Sequence, residues 1–150
     1  MRSLLSLILS LALVGPAIAL EVISSEHRND DSFKRISEHI TGKENEGRYT
    51  IVRTDANRRD GFYIALKVQN KKTHLTYDAV RISHVKPGSM ETHTQTVRIM
   101  SKLKKRMLIG FTNEEWETSD RIPLAWKVEL INPAGEAVEI AESFLWSHES

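Results

Sequence analysis

The chain has 150 residues, with 21 lysines and arginines against 20 aspartates and glutamates, and no cysteine. The lack of cysteine excludes disulfides, thiolate chemistry and a lipidated cysteine at a processed terminus. Balanced charge does not suit a nucleic-acid binder, which shows a basic excess gathered on one face, and the length suits one domain.

Residues 1–19, MRSLLSLILSLALVGPAIA, carry the parts of a secretory signal peptide. Arg2 gives a positive start. Leu4 to Val14 is an apolar run shorter than the ~20 residues that span a bilayer. Gly15 and Pro16 break it, and Ala17-Ile18-Ala19 is a small-x-small cleavage site. Cleavage after Ala19 is expected, with no stable membrane insertion afterwards. Removing Arg2 leaves 20 basic against 20 acidic residues. A disulfide-free exported domain must be stable through its core, which fits a bacterial envelope, periplasmic or extracellular.

Residues 20–47 read as a polar leader. Its one periodic piece is FKRISEHI, where Phe33, Ile36 and Ile40 fall at i, i+3 and i+7. This predicts a short helix over 32–40, capped by Asp31 or Ser32. Such a helix does not hold alone in water, so it docks on the domain or stays mobile.

From Arg48 the pattern has period two. RYTIVRT (48–54), GFYIALKVQN (61–70), YDAVRISHV (77–85), ETHTQTVRIM (91–100), RMLIGF (106–111), PLAWKVELI (123–131) and EAVEIAESFLW (136–146) read as strands. About seven antiparallel strands over residues 48–146 predict an all-β immunoglobulin-like sandwich, with a small closed barrel as the alternative. Residues 147–150 form a tail.

Two hairpins have readable registers. A turn at KPGSM pairs Val80 with Val97, Ile82 with Gln95 and His84 with His93. In NPAGE, Pro133 sets the turn and Gly135 takes the left-handed position of a G1 bulge. Asn132 then opposes Glu136, Leu130 opposes Val138, Val128 opposes Ile140 and Trp126 opposes Glu142. Trp126 is mid-strand on the apolar face and is expected in the core. Lys127, Glu129 and Glu139 fall on the opposite, charged face. Glu142 breaks the pattern. A bulge between Ala141 and Ser143 would turn it outward; otherwise it is a buried carboxylate paired with an arginine.

The loops supply the candidate sites. Trp116, with Glu115 and Glu117, resembles a sugar-stacking site, or else the ring folds back over Phe111 or Ile122 and caps the sandwich. His84 and His93 share one rung and are a candidate metal pair, with His74 in the preceding loop. Metal sites usually need three or four protein ligands, so no metal and no cofactor is expected. RTDANRRDG (53–61) is either an anion clamp or a solvated charged loop, and SKLKKR (101–106) is a basic turn. Sequence motifs for a nucleophile elbow, a zinc protease or a phosphate loop are missing, so no enzyme is expected.

RTDANRRDGFYIAL, LIGFTNEEW and LAWKVELINPAGEAVEIAESFLW resemble segments of small exported bacterial proteins of unknown function. The last also resembles the closing hairpin of immunoglobulin-like and fibronectin type III-like sandwiches. The resemblance implies a fold and carries over no catalytic residue. The expected role is non-enzymatic, in protein–protein interaction or structural support in the cell envelope. The rival is a carbohydrate or small-ligand module using Trp116, and behind it an unrecognised hydrolase.

Overall fold

A computed structural model describes residues 18–69 and 77–148. Residues 1–17 of the expected signal peptide, His74 and the tail residues 149–150 lie outside the described residues. The described chain is mostly β. Its strands are β1 (Ile18–Ala19), β2 (Glu21–Arg28), β3 (Tyr49–Arg53), β4 (Gly61–Lys67), β5 (Ala79–Val85), β6 (Thr92–Arg98), β7 (Arg106–Phe111), β8 (Ala125–Ile131) and β9 (Ala137–Glu142). Two short helices, α1 (Ile36–Thr41) and α2 (Phe144–His148), complete it.

The strands form two sheets. One runs β1-β9-β8-β5-β6 and the other β2-β4-β7-β3. Most neighbours are antiparallel, but β1 pairs β9 and β3 pairs β7 in parallel. The sheets pack on a shared core. Phe62, Ile64, Leu66, Met107, Ile109 and Phe111 come from one sheet, and Val80, Ile82, Trp126, Val128 and Leu130 from the other. The alternation of GFYIALKV thus gives the expected inward face, and Trp126 is buried as expected.

Both faces of the β4–β7 pair are covered. Tyr63, Ala65 and Leu108 point away from the main core and join Phe33 in a second apolar cluster. Gly110 sits opposite Tyr63 in the ladder, where a Cβ would come within 2.5 Å of the Tyr63 ring. The small residue lets the ring lie flat on the strand.

The stretch read as a leader is part of this architecture. Residues 21–28 form β2, paired with β4 from Glu21↔Lys67 to Arg28↔Gly61. Leu20 is buried in the main core, and its N–H donates to the Ile140 carbonyl at 2.8 Å. The expected helix over 32–40 is broken in two. Asn29 caps a 3-10 turn at Asp30–Ser32, and α1 begins only at Ile36. That break changes the phase of the side chains. Phe33 docks, whereas Ile36 and Ile40 are exposed.

The KPGSM hairpin has the predicted register, with Val80↔Val97, Ile82↔Gln95 and His84↔His93. In the NPAGE hairpin the turn is as expected: the Asn132 N–H donates to Glu136 O at 2.9 Å and Gly135 has φ 84°. The ladder beyond it differs. A shift next to Ile131 pairs Leu130 with Glu139 and Val128 with Ala141. The bulge therefore falls at Val138, close to the turn. One extra residue exchanges the two faces of a strand. Glu142 is exposed, whereas Glu139 and Glu129, which the sequence pattern puts on the charged face, are buried. Strand β9 ends at Glu142, and Phe144–His148 turns into α2, with Trp146 half-buried there.

Candidate functional site

At one end of the sandwich the β7–β8 loop returns over the core. Glu114–Trp116 forms a 3-10 turn, and this turn drives the Trp116 ring inward. The ring is 2% exposed. It meets Phe111 at 5.8 Å and His84 at 5.2 Å between ring centroids, both edge-on. Of the two readings of Trp116, the structure has the fold-back over Phe111. The ring face is not open to a sugar. Glu115 bonds Lys86 at 2.7 Å, and Glu117 lies 3.5 Å from Arg58. The three candidate residues thus diverge: Trp116 goes into the core while Glu115 and Glu117 join separate surface ion pairs.

His84 and His93 are stacked at 5.4 Å with planes 25° apart. Among the described residues no group of three or more potential metal ligands is assembled. His84 is buried against His93, Phe111 and Trp116, with Glu115 Oε1 3.9 Å from its Nε2. Burial pushes its pKa down to about 4, His93 and Lys86 add to that, and Glu115 opposes it. A neutral buried imidazole stabilises the fold above the unfolded pKa of ~6.5, and that stability is lost as pH falls toward the folded value. Acidification from about pH 7 to about pH 5 is expected to cost about 2 kcal/mol through this group. His84→Phe keeps the ring packing and should flatten the dependence. Urea unfolding of both proteins across that range checks it, and an equal slope in the two would exclude His84 as the source.

The most fully built polar cluster lies on the outer face of the other sheet. Arg53 projects from β3 with only 8% of its side chain exposed. Its Nη1 and Nη2 donate to the two Glu44 oxygens at 2.8 and 2.7 Å, and its Nε donates to Tyr63 Oη at 2.7 Å. Phe33 stacks beneath the guanidinium at 4.8 Å. Tyr63 Oη in turn donates to the Arg59 carbonyl at 2.7 Å. Arg59 reaches Glu38 and Asp30. Burial works against the charge on Arg53, but hydrogen bonds to Glu44 and Tyr63 outweigh it and hold its pKa above the ordinary value. The same bonds keep Glu44 below the usual carboxylate range, against the effect of its own burial. Burial pushes the Tyr63 hydroxyl up to about 12.

This cluster decides how the 53–61 loop is read. All three arginines face carboxylates, since Arg58 also lies 3.6 Å from Asp55. A groove of about 330 Å³ between Asp30, Asn57, Arg58, Arg59, Asp60 and Glu117 mixes both signs of charge. The Arg53 and Arg59 guanidiniums tie residues 29–47 onto the sheet, Arg58 pairs with Asp55 and Glu117, and the three are not arranged as an anion clamp. In the basic turn, Lys104 Nζ donates to the Gly47 and Tyr49 carbonyls at 3.0 Å, which is a similar tying role. Sequence reasoning missed this network because its acceptors, Glu38 and Glu44, sit in the segment taken for a leader.

No family model matches the chain, and no curated protein or solved structure matches it either.

What remains open to a partner are the sheet edges, β1 and β6 in one sheet and β2 and β3 in the other among the described residues. Strand β6 pairs with β5 and has no strand on its other side among the described residues. Thr92, Thr94, Thr96 and Arg98 are exposed along its outer face. Met90 precedes it at 92% exposure and Met100 follows it at 91%.

Proposed function

We propose that the chain is an exported, non-enzymatic module of the bacterial cell envelope, of immunoglobulin-like kind, that binds protein partners. The observation that carries this reading is the open β6 edge with an exposed methionine at each end. An unpaired strand edge offers a row of backbone donors and acceptors that an extended segment of a partner can complete. Methionine is flexible and polarisable, which suits it to a surface that adapts to a protein ligand. The buried Trp116 ring and the saturated arginines speak for this reading over a carbohydrate or anion site. Export rests on the features of residues 1–19, and no helix among the described residues is long and apolar enough to cross a membrane.

Hydrogen exchange on the protein alone and with an envelope protein that it captures tests the reading. Backbone amides of Thr92–Arg98 should gain protection in the complex. Protection confined to the 112–120 loop, or to none of the strands, would overturn it.

A further inference from the structure

We infer that β6 pairs with β6 of a second copy, antiparallel about Gln95, to form a two-fold dimer with one continuous sheet. The inference rests on the interaction reading above and names its partner.

The sequence of the edge is complementary to itself in that arrangement. A two-fold axis at Gln95 sets Thr94 opposite Thr96 of the second copy and Thr92 opposite Arg98. Continued one step past each strand end, it sets Met90 opposite Met100. Each contact occurs twice, as a two-fold interface requires. The even-numbered residues share the exposed outer face, so threonine pairs form its middle and methionine pairs its ends. Threonine–threonine pairs across neighbouring strands are favourable.

Charge supports the same direction. Glu91 stands at one end of β6 and Arg98 at the other, with side chains 76% and 81% exposed. In-register parallel pairing would set each of them beside its like in the other copy, which is unfavourable. The antiparallel register instead sets Arg98 opposite Thr92 and Glu91 opposite Ile99, away from like charges.

Gln95 on the axis turns toward the opposite sheet, where its Nε2 donates to the Thr54 carbonyl at 2.8 Å. Its side chain leaves the shared backbone edge clear. The contact is small beside a standard protein interface, so a reversible, concentration-dependent dimer is expected.

Sedimentation velocity over a concentration series tests it, on the full-length expressed protein as its host processes it. The wild type should shift from monomer to dimer with rising concentration. T94K/T96K puts like charges opposite each other across the axis and should weaken the dimer about tenfold or more. T94E/T96E should do the same, and an equimolar mixture of the two variants should recover a dimer. T94K/T96E, altered at the same positions but with opposite charges facing, should dimerise. The inference is overturned by a wild type that stays monomeric into the millimolar range, by a dimer that T94K/T96K leaves intact, or by a mixture that fails to recover. A monomeric protein whose β6 amides still gain protection from an envelope protein would remove self-pairing alone. A dimer with no other β6 partner would keep it.

Discussion

Replacing Trp116 by alanine is expected to lower the unfolding free energy by about 3–5 kcal/mol. The ring is nearly inaccessible and meets Phe111 and His84 edge-on. Truncation leaves a cavity at the sandwich end, and His84 would then lie open to water. Loss of its burial would also return the His84 pKa toward the ordinary value, so the variant should lose part of the acid sensitivity of the wild type. Chemical denaturation at about pH 7 and about pH 5 reads both effects. Iodide should quench Trp116 poorly in the folded wild type. Efficient quenching together with a stability loss under about 1 kcal/mol would mean that the ring is exposed, and would revive the sugar-stacking reading.

Arg53→Ala is expected to cost a similar amount, about 3–5 kcal/mol, because it strands the partners of a buried ion pair. Glu44 would lose both guanidinium bonds, and Phe33 would lose the cation above its ring. The loss should concentrate in residues 29–47, which the cluster ties down. Limited proteolysis should therefore cut near Lys34, Arg35 and Lys43 in the variant well before the sheets unfold. Arg53→Met with Glu44→Gln replaces the pair by groups of similar size and should recover much of the stability, since matched removal of a buried pair is often close to neutral. A double-mutant cycle gives the coupling directly. Additive losses would show that the two side chains do not act together.

The inner faces of β4, β5 and β8 were legible from the sequence because large apolar residues recur there at every second position. The β5–β6 register was legible for a related reason: Val80, Ile82 and Val97 allow one phase only. Strand β2 was not. EVISSEHR has no periodic apolar face, and the strand is half-exposed on the sheet edge. What makes it a strand is the backbone of β4 beside it. The NPAGE hairpin shows a different limit. Val138 and Ile140 in one phase, or Ala141 in the other, can each complete an apolar face. The choice falls to the bulge at Val138, which local pattern does not specify. The second cluster around Phe33 was hidden because Tyr63 and Ala65 look like the solvent side of an alternating strand until the 29–47 segment covers them. Of the candidate site, the fold-back of Trp116 onto Phe111 could be argued from their closeness in the chain. The Arg53–Glu44 pair could not, since nothing in the 20–47 composition announces that it docks.

The two sheets also differ in how soon they can assemble. The β5–β6 and β8–β9 pairs are hairpins whose strands meet across short turns. In the other sheet β3 must wait for a partner synthesised much later, as Tyr49 pairs with Arg106. Closing such a long loop has to be offset before its contacts contribute, and this slows folding. The hairpins are therefore expected to form first, and the early half of the chain to settle around them. An emerging chain stays without its β3–β7 seam until residues 106–111 appear. On the export proposed above, late closure of that seam would keep the polypeptide pliable during passage and defer the compact state to the far side.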